Sequence, residues 1–263
     1  MPYSTHSESA ADLSEKMGVL RIKRENSKLE YSSHRIIINW GCKAFPYDWL
    51  NYSEVLNTPN ACRQWGNKIN FFRNAEHEGI VTPRYWRTPY EIPEGVKTFG
   101  RTANGHLGRN VLRPDDQGWA NSDLFVEQID KSSEYRAYFF NGNVLAIYKV
   151  VLPNGVEAKD PDIRSYENGY IFQRNNVKIP AAVEMQAQQF ASKMSQCPYG
   201  LDFGGIDLMY RAEDQKSFIL EANTAPGITG YTTRKFAEAF QQYLDHRNGK
   251  KEKLLDRFIE GDV

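Results

Sequence analysis

The most informative part of this chain consists of two runs, Gly204-Gly205-Ile206-Asp207-Leu208-Met209-Tyr210 and Ser217-Phe218-Ile219-Leu220-Glu221-Ala222-Asn223. The two runs predict strands joined by a turn near Asp214. A hairpin centred there places Asp207 opposite Glu221. Because side chains alternate along a strand, Asn223 falls on the same face, one pleat further. The sequence therefore predicts two carboxylates and an amide together on one face of a hairpin.

The facing carboxylates indicate a cation site. Opposed residues of an antiparallel pair have Cβ atoms about 4.5–5.5 Å apart, and like charges there are destabilising. A divalent cation between Asp207 and Glu221 would remove that repulsion. Two carboxylates and an amide oxygen are hard ligands that suit Mg²⁺, with phosphate oxygens completing the shell. The alternative interpretation is a solvated outer face whose acids are merely exposed.

Magnesium held by few protein ligands usually accompanies a nucleotide, which needs cationic donors and a glycine-rich backbone. Residues 101–110, Arg-Thr-Ala-Asn-Gly-His-Leu-Gly-Arg-Asn, supply both, within a basic run over 97–113 that holds no acid. Lys68 and Lys149 are further candidates for phosphate contacts. A plain surface turn and solvated lysines are the alternatives for these features.

Composition limits the class of protein. The chain has 263 residues, 33 Lys+Arg and 33 Asp+Glu, so its net charge of zero argues against bulk nucleic-acid binding. No apolar run is long enough to span a membrane, and the N-terminus lacks the apolar region of a secretory signal, so we expect a cytoplasmic protein. Its three widely spaced cysteines do not form a disulfide framework or a Cys-rich zinc site.

Periodicity and turn signals predict the remaining elements. Residues 1–34 are polar and weakly patterned, and we expect a disordered start followed by a strand or arm. A strand is expected over 35–41, and one helix from Thr58-Pro59 to Gly79. Asn141-Gly142 predicts a hairpin turn. The other expected elements are a strand at 124–129, a long loop over 153–180, a helix through 183–194 and two helices in the tail.

These residues resemble the ATP-grasp superfamily of carboxylate–amine ligases. The run Leu220-Glu221-Ala222-Asn223-Thr224-Ala225-Pro226-Gly227-Ile228-Thr229, after Gly205–Met209, closely resembles the metal-binding signature of D-alanine–D-alanine ligases and of the glutamate-ligase branch. The resemblance implies an α/β ATP-grasp fold in which two α+β lobes clamp ATP. It implies a truncated pre-grasp region at 1–60, a first lobe at 61–126, and a second lobe with C-terminal helices at 127–263.

The resemblance also implies roles for individual residues. The stretch Phe125-Val126-Glu127-Gln128-Ile129-Asp130 is similar to the family's hinge, with Glu127 facing adenine and backbone groups of Gln128 and Ile129 beside it. Glu134 would bind the ribose hydroxyls. Lys68 matches the first phosphate lysine, and Arg101 takes the place of a second one. Asp207, Glu221 and Asn223 would hold two Mg²⁺ ions, with Mn²⁺ able to substitute.

Other positions depart from the family or match it loosely. Arg174-Asn175 resembles the arginine–asparagine pair of glutamate-adding ligases and could hold the acyl phosphate or the acceptor; a solvated loop arginine is the alternative. Arg101 replaces the usual lysine, which changes the donor geometry. Gly205 stands where D-alanine ligases carry an arginine. With the short N-terminal region, these departures argue against D-alanine–D-alanine ligation.

The expected reaction is ATP-dependent amide formation from a small-molecule carboxylate and an amine through an acyl phosphate, releasing ADP and phosphate. Lys68, Arg101 and Lys149 would stabilise the transferring phosphoryl group. Three alternatives remain: an ATP-grasp kinase acting on a hydroxyl, a nucleotide-binding module without turnover, and a ligase acting on a macromolecule. The sequence identifies neither substrate.

Overall fold

The structure is a computed structural model that describes residues 1–3, 7–23, 35–44, 50, 54–103 and 111–247. The glycine segment at 104–110 and the second predicted tail helix, around 254–258, lie outside the described residues. Among the described residues, no helix has the length and apolar character needed to cross a membrane.

The described residues of the N-terminal part include two short parallel strand pairs and the helix α1. Strand β1 (Pro2–Tyr3) pairs with β2 (Ile22–Lys23), and β3 (Ile36–Ile38) with β4 (Glu54–Leu56). Helix α1 (Glu8–Met17) lies between β1 and β2, where we expected disorder or an arm. Ser7 caps its start by accepting from the Ala10 N–H, and Gly18 ends it in the left-handed region at φ 64°.

The single helix expected up to Gly79 is two helices, α2 (Pro59–Trp65) and α3 (Lys68–His77). Thr58 caps α2 as predicted, accepting from the Ala61 N–H. Asn67 caps α3 by accepting from the Asn70 N–H, which starts a new helix after the break. Lys68 is therefore the first residue of α3, and its N–H donates to the Ala103 carbonyl at 3.0 Å.

A four-stranded antiparallel sheet follows, in the order β5-β8-β6-β7. Its strands are β5 (Tyr85–Trp86), β6 (Thr98–Arg101), β7 (Val111–Leu112) and β8 (Leu124–Glu127). Arg101 ends β6 and Glu127 ends β8, so this sheet carries one candidate phosphate ligand and one candidate adenine contact.

The larger sheet has five antiparallel strands in the order β11-β10-β9-β12-β13. They are β9 (Ser133–Phe140), β10 (Asn143–Val151), β11 (Ile171–Gln173), β12 (Phe203–Arg211) and β13 (Lys216–Asn223). Strands β9 and β10 are joined by the predicted turn, where Asn141 and Gly142 both have positive φ, 44° and 81°. Helix α4 (Ala181–Gln196) precedes β12 and α5 (Tyr231–Arg247) follows β13.

Two helices cover different parts of this sheet. Helix α4 packs on one face, in a core with Tyr135, Ala137 and Phe139 of β9. Helix α5 packs on the opposite face, but against the end that carries Tyr138, Phe140 and Phe203. The rest of that second face, from Arg136 of β9 towards Glu134, belongs to neither core and carries the candidate site.

Candidate active site

The β12–β13 hairpin has the predicted register where it matters for the site. Asp207 pairs with Glu221, and Gly205 pairs with Asn223. Beyond Asp207 the register shifts, since Leu208 pairs with Ile219 and leaves Leu220 as the extra residue of a β-bulge. The two carboxylates and the amide therefore lie on one face, and the Asn223 Nδ2 donates to Asp207 Oδ2 at 3.3 Å.

Two cations reach the Glu221 carboxylate from outside the hairpin. Lys68 Nζ, at the start of α3, lies 2.9 Å from Glu221 Oε2, and Arg101 Nη2, at the end of β6, lies 3.9 Å from it. Burial by itself raises the pKa of Glu221, but the charges of Lys68 and then Arg101 outweigh it and lower this pKa to about 2. The structure thus brings Lys68, Arg101 and Glu221 together, three residues predicted from separate parts of the sequence.

A third cation, Arg136, holds Asp207 and was given no role by the sequence analysis. It lies on β9 directly across from Asp207, and its Nε and Nη2 donate to the two carboxylate oxygens at 2.6 Å each. Burial raises the pKa of Asp207, although Arg136 opposes that effect. Burial also raises the pKa of the neighbouring Tyr138 to about 12, again with Arg136 opposing.

This donor set fits Mg²⁺ bound together with a phosphate ligand. Two carboxylates and an amide carbonyl are the oxygen ligands that Mg²⁺ takes. In the described part of the chain, no group of three or more His, Cys, Asp or Glu side chains converges, so Asp207 and Glu221 do not form an all-protein metal cage. The three cations around the two carboxylates favour an anionic ligand beside the metal.

At the predicted adenine hinge, Arg84 engages Glu127. Arg84 Nε and Nη2 donate to the two Glu127 oxygens at 3.0 and 2.9 Å, and this pairing lowers the pKa of Glu127. The Gln128 N–H is also used, because it donates to the Lys97 carbonyl at 2.9 Å. A contact between Glu127 and adenine stays a prediction, and it requires the carboxylate to share or exchange Arg84.

Glu134, the predicted ribose ligand, is nearly buried and lies 2.5 Å from Lys131 Nζ. Burial raises the pKa of Glu134, with Lys131 opposing. Lys131 also donates to the Asp162 carbonyl, in the loop between β10 and β11. The same loop supplies acids to the basic run at 97–113, since Arg113 Nη2 donates to Asp160 at 2.8 and 2.9 Å and to Asp162 at 3.3 Å.

Comparisons with known proteins agree with this architecture. The family model described as "D-ala D-ala ligase C-terminus" matches residues 118–246, which include the β12–β13 hairpin. The ATP-grasp ligase PsnB, in a structure with its minimal precursor, Mg and ADP, is 11% identical, with a TM-score of 0.65 over 92% of this chain and 96% of that chain.

The chain has the ATP-grasp fold. A D-alanine–D-alanine ligase from Bacillus anthracis complexed with ATP is 13% identical, with a TM-score of 0.61 over 95% of this chain and 98% of that chain. The D-cycloserine synthetase DcsG is 14% identical, with a TM-score of 0.60 over 89% of this chain and 94% of that chain. In another PsnB structure the match is 17% identical but spans 76% of this chain and 66% of that chain, with a TM-score of 0.54. No curated protein sequence matches the chain significantly.

The structure places Lys149 apart from the other candidate phosphate ligands. Lys149 pairs directly with Tyr135, whose ring lies in the core under α4, and directly opposed residues share a face. Arg136 pairs with the adjacent residue, Tyr148, so Lys149 lies on the other face of the sheet from Arg136 and Asp207. This pairing does not support the predicted contact between Lys149 and phosphate, which stays a prediction.

Arg174 and Asn175 follow the edge strand β11 and lie towards the start of α5. The Arg174 guanidinium carbon lies 3.9 Å from the centre of the Tyr231 ring. The Asn175 carbonyl accepts from Gln173 Nε2 at 3.1 Å. Their contact with an acyl phosphate or an acceptor stays a prediction.

Proposed function

We propose that this protein with the ATP-grasp fold is an ATP-dependent ligase that joins a carboxylate to an amine through an acyl phosphate and releases ADP and phosphate. The observation that carries the proposal is the facing pair of Asp207 and Glu221, with Asn223 beside them and a cation on each flank. With metal bound, such a set would offset the charge of a triphosphate and leave its terminal phosphorus open to attack by an anion.

Each side chain has a defined task in this reaction. Asp207, Glu221 and Asn223 would hold two Mg²⁺ ions, or Mn²⁺ in their place. Bound metal would supply charge neutralisation at the β- and γ-phosphates. Lys68 and Arg101, which already lie beside Glu221, would donate to phosphate oxygens once metal takes over that carboxylate.

The nucleotide would extend away from the metal site towards the hinge. Glu134 lies two residues before Arg136 on β9, on the same face, and would accept from the ribose hydroxyls. Backbone groups of Gln128 and Ile129 and the Glu127 carboxylate would read adenine. In this arrangement residues 61–126 form the first lobe, 127–263 the second, and 1–60 a short pre-grasp region.

The chemistry needs no nucleophilic side chain. An oxygen of the substrate carboxylate attacks the γ-phosphorus and ADP leaves, which gives an acyl phosphate. The amine then attacks the acyl carbon, and phosphate leaves with the carboxylate oxygen that attacked phosphorus. The protein's contribution is position and charge stabilisation. Arg174 and Asn175 would contact the acyl phosphate or the incoming amine.

Small-molecule acids and amines are the proposed substrates, because the similar structures include a D-alanine–D-alanine ligase and a D-cycloserine synthetase. D-alanine–D-alanine ligation itself is disfavoured by Gly205, where the resemblance would place an arginine. We further propose that the protein acts in the cytoplasm and binds neither membranes nor bulk nucleic acid.

A screen of carboxylic acids, with hydroxylamine in place of the natural amine, tests this function. An acyl phosphate is a strong electrophile, so the correct acid should give both ADP and a hydroxamate. Without acid, we expect only slow ATP hydrolysis. ADP release without hydroxamate, together with a phosphorylated hydroxyl compound, would replace the ligase by a kinase.

A further inference from the structure

Helix α1 contacts the loop that follows the metal ligand Asn223, and the proposed mechanism gives this contact no task. Residues 224–230, here called the 224–230 segment, join β13 to α5. Ser9 of α1 binds both backbone groups of Ile228: its Oγ accepts from the Ile228 N–H at 2.9 Å and donates to the Ile228 carbonyl at 3.2 Å. One hydroxyl can make both bonds, because it carries one donor and two acceptor sites. Ser9 thereby fixes the position of the segment at Ile228.

Further contacts hold the segment next to Ile228. Tyr138 Oη donates to the Gly227 carbonyl at 2.9 Å, and Thr233 Oγ1, just after the segment, donates to Asp12 of α1 at 2.8 Å. The segment is buried at every second residue, which are Thr224, Pro226 and Ile228. The residues between them are exposed, and among the described residues no atom lies within 4 Å of the place that a Cβ on Gly227 would take. One side of the segment is therefore fixed to the protein, and the other side is open to a ligand.

The position of the segment along β9 indicates which part of the reaction it meets. Glu134, the proposed ribose ligand, Arg136 and Tyr138 follow one another on one face of β9, about 7 Å apart. Arg136 holds the metal ligand Asp207, so the ribose, the metal and the 224–230 segment come in that order. In phosphoryl transfer the attacking and leaving oxygens lie roughly in line. Because ADP leaves towards the ribose, the substrate carboxylate approaches from the side of the 224–230 segment.

We propose that Ser9 is a positioning residue for the substrate side of this site. By fixing Ile228, it holds the exposed backbone around Gly227 in place beside the substrate carboxylate. The proposal rests on the proposed function, since it takes the direction of the nucleotide as given. It gives a residue of the N-terminal region a part in the reaction, although Ser9 itself touches neither nucleotide nor metal ligand.

Hydrogen–deuterium exchange in Ser9→Ala tests the structural half of the proposal without any substrate. Peptides that cover 224–230 should exchange about fivefold faster than in wild type, because a lost hydrogen bond changes a local opening equilibrium by about that factor. The Kd of Mg·ADP should not change, since the nucleotide lies on the other side of the metal.

Kinetics test the catalytic half, with hydroxylamine as the amine and an acid that gives a hydroxamate with wild type. In Ser9→Ala, kcat/KM for the acid should fall by about tenfold, because a misplaced substrate reacts slowly even when it is bound. The KM for ATP should stay at its wild-type value. Ser9→Thr keeps the hydroxyl and should restore both the exchange rate and kcat/KM.

Ser14→Ala is the matched control. It is the same substitution on the same helix, and Ser14 is more buried than Ser9. Its Oγ donates to the Ala11 carbonyl at 2.8 Å, within α1, and not to the 224–230 segment. Neither the exchange of the segment nor kcat/KM should change in this variant.

Unchanged exchange of the 224–230 segment in Ser9→Ala would overturn the proposal. Faster exchange with an unchanged kcat/KM for the acid would overturn it as well, because the contact would then be structural only. Equal losses for ATP and the acid would mean that Ser9 acts through Asn223 and the metal, which also contradicts the proposal. If wild type gives no hydroxamate with any acid, the proposed function itself is wrong, and the role of Ser9 falls with it.

Discussion

Replacing Glu221 by Gln should remove the magnesium dependence of nucleotide binding and leave the fold intact. The substitution keeps the shape of the side chain, and Lys68 Nζ, now 2.9 Å from Oε2, can still donate to an amide oxygen. Two unit charges at that distance in an effective dielectric of about 20 interact by about 6 kcal/mol, most of which is offset by their desolvation. A net loss of about 1–3 kcal/mol should lower the Tm by about 10 °C or less.

Thermal unfolding with and without nucleotide measures the effect on the site. A ligand at about 100 times its Kd stabilises a protein by about 2.7 kcal/mol, or roughly 5–10 °C for a domain of this size. The Tm of wild type should rise more with ADP and Mg²⁺ than with ADP and a chelator. That difference should disappear in Glu221→Gln, and turnover should fall at least 100-fold.

Glu213→Gln provides the control, because it is the same substitution on the exposed turn of the same hairpin. It should leave both the Tm and the magnesium-dependent gain unchanged. A Glu221→Gln protein that keeps the wild-type gain from Mg²⁺ would refute the assignment of Glu221 as a metal ligand.

Three other expectations concern the hinge, a thiol and the loop after β10. In competition binding, the hinge should favour ATP over GTP by a factor of ten or more, which is a difference in binding free energy of about 1.4 kcal/mol. Equal affinity for the two nucleotides would contradict the roles given to residues 127–129. Burial raises the pKa of Cys62 from 9.0 to about 12, so native Cys62 should resist thiol reagents at pH 8, and rapid labelling would be inconsistent with its burial. The unfolded thiol ionises first, so the same shift should reduce stability only as the pH rises from 9 towards 12. Arg113→Met should speed proteolysis within 153–170 and leave the Tm nearly unchanged, because a half-exposed ion pair contributes about 0–1 kcal/mol; an unaltered cleavage rate would mean that Arg113 does not anchor the loop.

The local signals in the sequence were sufficient for the hairpins and for half of the site. The Asn141-Gly142 turn and the pairing of Asp207 with Glu221 follow from short-range pattern, and both are present in the structure. The bulge at Leu220 was not predictable, because nothing in an apolar run marks which residue is left unpaired. It lies on the turn side of Glu221 and so does not disturb the pairing of the carboxylates.

At two helix boundaries the sequence contains capping residues, but its composition or its apolar spacing points to a different structure. Ser7 and Gly18 are good capping residues for α1, yet the helix buries few apolar side chains, and its polar composition resembles a disordered segment. Asn67 starts α3 although the apolar spacing of Trp65, Ile69 and Phe72 continues across the break. Periodicity alone does not reveal such an interruption.

The roles of Arg136 and Lys149 depend on contacts between strands that are distant in sequence. Arg136 meets Asp207 only because β9 pairs with β12, 71 residues later. Lys149 pairs with Tyr135, and this pairing places it on the face of the sheet opposite Arg136. The sequence marked Lys149 as a candidate phosphate ligand and gave Arg136 no role, because only the sheet order distinguishes the two faces.

The most direct test of the central claim follows the oxygen of the carboxylate. An acid substrate from the screen is labelled with ¹⁸O in its carboxyl group and is incubated with ATP, Mg²⁺ and an amine. If the acid is activated as an acyl phosphate, one ¹⁸O atom should appear in the released inorganic phosphate for each amide formed, with ADP as the other product. Phosphate without label, or AMP and pyrophosphate as the products, would contradict the account.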